Sequence, residues 1–274
     1  MLLLLRILNK LNVLRYLNLS VRRTVNGVNF SIPLRGKTGL ELFYEKEVWM
    51  TVIMRKLLPL SAGKTFIDVG VNVGQTLLIL KSLSRSTEYI GFEPNPLCVE
   101  FVSHLIEEND LAGVQVIPAA LSDTDGIAIL YKDVAQPVDS SATLVQQFRE
   151  THDKVPVIVP VVSAKNVSFF DAKTIGIVKI DVEGGELEVI TALTGILERD
   201  RPFVVCEILP VYTADNVFRR ERQQRLLDLT ANLRYQLFRI QADGGLQKLE
   251  AIGIHGRVED SNYLFVPHEK VAQF

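Results

Sequence analysis

Cysteine is almost missing from this chain of 274 residues. Only Cys98 and Cys206 are present, far apart, with no CxxC pair and no Cys/His cluster beside either. That supports neither a disulfide framework nor a zinc site, and leaves two reduced, buried thiols in a cytoplasmic protein as the expectation. A surplus of basic residues is missing too. The 30 Lys and Arg stand against 32 Asp and Glu, a net charge of -2. Neutralising phosphates takes an excess of Lys and Arg, so a general nucleic-acid binder is not expected. Nor is there a long apolar run. Met1–Leu5 is apolar, but Arg6 and Lys10 interrupt it well short of the roughly 20 residues a bilayer span needs. No basic segment precedes that stretch and no small-residue cleavage site follows it.

What is there is an ordinary globular balance, 47% hydrophobic and 23% charged, in a chain long enough to bury a core without staples. Residues 1–60 read as an extension. Leu4, Ile7, Leu8, Leu11 and Leu14 recur at helical spacing, with Arg6, Lys10 and Arg15 off the densest stripe. Such a helix docks on its own domain, pairs two subunits in a homodimer, or makes a weak contact with the inner face of a membrane. Arg22–Leu34 alternates apolar and polar residues around Asn26-Gly27, the signature of a hairpin. Leu40–Leu60, which carries Trp49, reads as one or two helices.

From Thr65 the rhythm changes, and residues 61–274 read as one domain. Predicted strands at Thr65–Val69, Tyr89–Phe92, Val114–Leu121, Ile175–Ile180 and Phe203–Ile208 alternate with predicted helices at Gln75–Ser82, Pro96–Asn109 and Glu186–Glu198. A helix at Arg219–Asn232 and strands at Tyr235–Ile240 and Tyr263–Val266 follow. Alternation of this kind predicts an α/β fold, a Rossmann-like doubly wound sheet covered on both faces. The last two strands are joined through Asp243-Gly244-Gly245 with little helix between them, which predicts an antiparallel final strand at the sheet edge. The segment 122–174 is longer than a simple crossover and contains β-like Ile127–Tyr131 and Val157–Val162. An insertion beside the strand ends is expected to serve as a substrate lid.

The most informative segment is Asp68-Val69-Gly70-Val71-Asn72-Val73-Gly74. A strand feeding a glycine turn and then a helix lets backbone approach a ligand closely, at a helix end that offers free N–H groups. Glu93 follows 25 residues after Asp68, at the end of the next strand, where a carboxylate can accept from both ribose hydroxyls. A ligand with a nucleoside half is implied. A dinucleotide turn needs a third glycine that this chain lacks, and an Asp at the strand end would repel a pyrophosphate. The same Asp suits an ammonium group, which favours S-adenosylmethionine over a nicotinamide dinucleotide. An oxidoreductase, and a scaffold that binds a nucleoside without turnover, remain the alternatives.

These residues resemble the FkbM family of methyltransferases. The likeness rests on four ordered blocks: Phe66–Gly74, Gly91-Phe92-Glu93-Pro94-Asn95-Pro96, Ala119-Ala120-Leu121-Ser122-Asp123 with Gly126, and Val178-Lys179-Ile180-Asp181-Val182-Glu183-Gly184-Gly185-Glu186. Asn262–Pro267 also resembles the family's closing strand. The resemblance implies a class I methyltransferase fold with a reversed last strand. It implies S-adenosylmethionine as donor and transfer to a hydroxyl oxygen of a sugar, glycan or natural product. Carried over by position, Asp68, Gly70, Asn72 and Gly74 would hold the methionine end and Glu93 the ribose. Asn95, Ser122 and Asp123 would lie towards the adenine. Two departures stand out. Val71 replaces the usual Ala, and Val162–Val167 lacks the acids the family often carries after the insertion.

Transfer of a methyl group to oxygen requires the acceptor within about 3 Å and a base for its proton. Asp181 and Glu207, at the ends of the fourth and fifth strands, are the candidate bases, with Asp181 preferred. His152, beside Asp153, is the one histidine suited to the same task. Glu183 and Glu186 follow Asp181, and Glu186 reads as a first-turn helix charge. Asp181, Glu183 and Glu207 could also gather a magnesium ion that polarises a substrate hydroxyl, but with no His among them a metal is not favoured. Lys179 is unusual inside a buried strand and is expected to pair with one of these acids. Ser140 and Ser141, with Asp139, could meet a sugar from the insertion.

Overall fold

The computed structural model describes residues 2–11, 13–44, 47–133, 142–145, 154–167 and 170–274. Helix α1 (Leu2–Lys10) leads into the hairpin β1 (Asn18–Val25) and β2 (Val28–Arg35). Asn26 and Gly27 make its two-residue turn with φ of 49° and 83°. Both values suit the twist of a hairpin, and Asn and Gly tolerate them best. Leu5 of α1 is buried and Arg6 lies over the Tyr44 ring at 5.5 Å, so the helix docks on its own chain. Ile7 and Leu11 of the expected stripe are exposed. After α2 (Glu41–Tyr44), α3 (Val48–Leu60) buries Met50, Ile53, Met54 and Leu57, the spacing of one helical face. Phe30, Met50 and Leu57 share a core cluster with Leu77, Phe101 and Val205, so the extension packs on the sheet domain.

The domain begins with β3 (Thr65–Val69), α4 (Gln75–Leu83), β4 (Tyr89–Phe92), α5 (Pro96–Glu108) and β5 (Val114–Ile117). After the insertion come β9 (Ile175–Ile180), α6 (Glu186–Ala192), α7 (Thr194–Asp200), β10 (Phe203–Glu207) and α8 (Val217–Asn232). The chain closes with β11 (Tyr235–Ile240), β12 (Leu246–Leu249) and β13 (Asn262–Pro267). These strands form one sheet in the order β12-β11-β13-β10-β9-β3-β4-β5. The neighbours from β10 to β5 are parallel, and β13 is antiparallel to both β10 and β11. Two apolar clusters flank the sheet, which makes this a doubly wound α/β architecture. No helix among the described residues is long and apolar enough to cross a membrane.

Three details depart from the sequence-based expectation. The reversed strand β13 is inserted between β10 and β11 and does not form the edge. Five of its six residues are buried, as an interior strand requires. The edge is β12, a strand the sequence did not suggest; its Gln247 and Lys248 are exposed and blunt the open side. The predicted third strand divides at Pro118, which has no N–H for a ladder. Its second half, β6 (Ala120–Ser122), pairs with β8 (Lys154–Ser163), and β7 (Gly126–Asp133) completes a separate three-stranded sheet in the order β6-β8-β7. The helix expected from Glu186 to Glu198 is two, α6 and α7.

Candidate active site

Where the strand order reverses between β3 and β9, a cavity of about 700 Å³ opens over the carboxyl ends of the strands. Its floor is the β3–α4 turn. Gly70, Asn72 and Gly74 all have positive φ, at 90°, 49° and 80°. At Gly70 nothing but hydrogen fits, since a Cβ would lie 1.9 Å from the Asp181 carbonyl oxygen. That closeness lets the ends of β3 and β9 stay paired, the Asp181 N–H donating to the Val69 carbonyl at 2.9 Å. Gly70 and Asn72 line the cavity; Gly74 starts α4 and packs against Leu105.

Glu93 closes the adjacent wall. Its side chain is 6% exposed, and its two oxygens accept from the Asn72 N–H at 2.7 Å and the Asn95 N–H at 2.8 Å. Each oxygen keeps a second acceptor position. Burial pushes this carboxyl up to about 7, against the pull of the two donors. Asn95 also lines the cavity, but its side-chain oxygen caps α5 by accepting from the Leu97 N–H at 3.2 Å.

Asp68 is not where the motif suggests. It has no exposed surface and does not line the cavity. It lies in register beside Lys179 on β9, so strand alternation sends both side chains to the same face. The Tyr89 hydroxyl donates to it at 2.7 Å and the Lys179 ammonium stands 3.5 Å away. The other oxygen of Asp68, Oδ1, makes no hydrogen bond among the described residues. Burial raises its pKa, and Lys179 and Tyr89 oppose that rise. Lys179 also donates to Asp181 at 3.1 Å and to the Gly70 carbonyl at 3.2 Å. Burial works against its charge, but Asp181 and Asp68 outweigh that and hold it firmly protonated. The expected pairing of Lys179 is therefore present, and it occupies Asp181, the preferred base.

Glu207 is in a different situation. It lines the cavity and accepts a hydrogen bond from the Ser261 hydroxyl at 3.3 Å. Burial pushes it up to about 8, helped by the nearby charges of Asp181 and Glu183. Glu186 is buried beneath the site and accepts from the Gly184 N–H at 2.7 Å. It holds a turn in which Glu183 and Gly184 have φ of 55° and 110°; burial raises it to about 7. Its task is that turn, more than the helix dipole. Ser122 lines the cavity, whereas Asp123 is exposed, does not line it, and accepts from the Ser122 hydroxyl at 3.2 Å. Asp125 lines it instead and anchors β8 through the Ser163 N–H at 2.7 Å. Asp139, Ser140, Ser141 and His152 lie outside the described residues. Among the described residues no three His, Cys, Asp or Glu side chains are grouped to hold a metal ion, so Asp181, Glu183 and Glu207 do not form such a cluster.

Besides Asp125, the acids missed by the sequence reading include two from the extension. Glu41, Glu47 and Trp49 line the cavity from the α2–α3 region, 21 to 29 residues before Gly70 and tied to it by no spacing rule.

The Methyltransferase FkbM domain family matches residues 68–240. Methyltransferase 1 of Beauveria bassiana (strain ARSEF 2860) is 25% identical over 187 residues, covering 60% of this chain and 72% of that protein. Methyltransferase sdnD of Sordaria araneosa is 29% identical over 125 residues, 45% of this chain and 46% of that protein. Among solved structures, methyltransferase FkbM from Methylobacillus flagellatus KT superposes with a TM-score of 0.49 at 15% identity. It aligns with 83% of this chain, which spans 51% of that longer one.

Proposed function

Because this chain belongs to the FkbM methyltransferase family, we propose that it transfers a methyl group from S-adenosylmethionine to a hydroxyl oxygen of a sugar or other hydroxylated small molecule, with Glu207 as the base. The observation that carries the reading is the shared cavity: Glu93, with two pre-oriented oxygens, and Glu207, half-buried beside a single hydroxyl donor among the described residues, line the same space. The donor fits that space on three counts. The Gly70 turn lines it, Glu93 can accept from two ribose hydroxyls, and Ser122 lies on the wall beyond. Bound there, S-adenosylmethionine supplies an electrophilic methyl carbon. Glu207 takes the proton of the attacking hydroxyl, and burial keeps water from competing for it. Glu41, Asp125, Asp181, Glu183 and Glu188 along the same walls suit an uncharged acceptor better than a phosphorylated one.

The direct test is mass spectrometry of hydroxylated acceptors incubated with isotope-labelled donor. One labelled methyl on oxygen supports the reading, and a silent titration with S-adenosylhomocysteine sinks it. Two variants sharpen it. Glu93→Gln loses one of two charged acceptor contacts and is expected to weaken S-adenosylhomocysteine binding by roughly 2 kcal/mol, read by calorimetry. Glu207 must be ionised to accept a proton, and its pKa is about 8. Turnover should therefore climb about tenfold per pH unit below that value and level off above it. Glu207→Gln should lower turnover by about 10²-fold or more and flatten the profile. A profile unchanged in Glu207→Gln would assign the base elsewhere.

A further inference from the structure

Charge is spread unevenly along the chain. Residues 1–40 hold seven Lys and Arg and no Asp or Glu, whereas all 32 acids and the other 23 basic residues lie beyond them. The net charge of -2 therefore hides a strongly cationic extension on an anionic domain. The extension packs on the domain through Leu5, Phe30, Ile32 and Leu34. Arg35 pairs with Glu108 at 3.7 Å, while Arg6, Lys10, Arg22 and Lys37 are exposed.

Helix α1 sorts its residues by face. Leu5 is buried, and Leu8 packs against the same core cluster. Ile7 and Leu11 stand one turn apart, the Leu11 N–H donating to the Ile7 carbonyl at 2.9 Å, and they are 46% and 65% exposed. Arg6 and Lys10, also one turn apart, flank them, because successive residues are turned by about 100° around a helix. Val13, just past the helix, is 40% exposed. The helix is thus docked by one face and turns outward an apolar ridge with a basic edge. A single exposed apolar side chain is ordinary, but three on one short segment, beside basic residues and in a stretch without an acid, mark a surface that meets a partner.

Three kinds of partner could cover it. Nucleic acid would use the charge but has no need of Ile7 and Leu11. A second copy related by a two-fold axis would set the cationic extension against itself, and like charges repel. An anionic bilayer uses both features, since its headgroups attract the basic residues and its acyl boundary takes the apolar ones. We propose that the outward face of α1, carrying Ile7 and Leu11 beside Arg6 and Lys10, docks the protein on an anionic lipid bilayer surface. The helix keeps Leu5 and Leu8 on its own core and lies along the membrane plane, so the contact is peripheral and reversible. Neither the donor nor the acceptor assignment enters this reading.

Flotation of the full chain with lipid vesicles tests it. Vesicles of phosphatidylcholine with about 30% phosphatidylserine should bind the protein at low salt about tenfold or more tightly than phosphatidylcholine alone. Raising the salt to about 0.5 M should release it, because the attraction is screened. Leu11→Glu should weaken binding about tenfold or more, by removing apolar area and adding a repelled charge. Lys10→Gln should weaken it about fivefold, the contribution of one basic residue near such a surface. Both side chains are exposed, so urea unfolding of the two variants should match that of the unaltered chain. Vesicle binding that ignores phosphatidylserine, or that survives Leu11→Glu and Lys10→Gln unchanged, would overturn the proposal, as would no binding at all. So would either rival occupant: an RNA duplex bound while both kinds of vesicle stay empty, or a dimer in sedimentation that Leu11→Glu splits.

Discussion

Gly70→Ala is expected to destabilise the fold by about 4 kcal/mol or more and to abolish donor binding in whatever folded protein remains. Two costs add. A residue with a Cβ held at φ 90° pays roughly 1–3 kcal/mol in backbone strain. The new methyl would also lie 1.9 Å from the Asp181 carbonyl oxygen, which is backbone and cannot swing aside. Relief would require the ends of β3 and β9 to part, breaking the Asp181 to Val69 hydrogen bond at the cavity floor. Gly63 supplies the control. It has φ of 72°, and a methyl added there would meet nothing within 4 Å, so Gly63→Ala should cost only the strain, about 1 kcal/mol. Urea unfolding of the two variants separates the terms. Similar small shifts in both would show that the contact with Asp181 yields easily.

Lys179→Met should cost about 3–5 kcal/mol, because it strands the Asp68 carboxylate without a cation where no water reaches it. The loss should shrink in the double variant Lys179→Met/Asp68→Asn, which removes the stranded charge as well. Strong coupling in that cycle is the signature of a buried pair, and additive losses would deny the interaction. The pH dependence has a definite sign. Asp68 already titrates above its usual range, through burial. A carboxyl with a raised pKa in the folded state contributes stability below its unfolded pKa and loses it as pH rises through the folded one. Removing Lys179 raises that pKa further. Acidifying Lys179→Met from neutral pH should therefore restore part of its stability, as a proton stands in for the missing ammonium. A loss unaffected by acidification would point to lost packing alone.

Much of the fold was legible because local chemistry and global packing agree. Asn26-Gly27 announced its hairpin through backbone angles that few other dipeptides accept. The alternation of strands and helices announced the parallel sheet, and Lys179, a charge in an apolar strand, announced a buried partner. Family membership removes the oxidoreductase alternative. The place of β13 was not legible, since a short apolar strand reads the same at an edge and in an interior. The preference between the two candidate bases was not legible for a similar reason. Asp181 and Glu207 both end strands, and only the neighbours show that one is ion-paired while the other is half-buried with a hydroxyl beside it.

The order of residues alone settled the strand–turn–helix at Gly70 and the carboxylate at Glu93, because both depend on short-range backbone geometry and on strand ends that a parallel sheet must align. Which acids line the cavity was decided by tertiary structure. Strand register set Asp68 against Lys179 and took it out of the cavity, and the packing of a distant helix carried Glu47 into it. A charge is defined by its nearest neighbours in space, and those of Asp68 lie 21 residues away at Tyr89 and 111 away at Lys179.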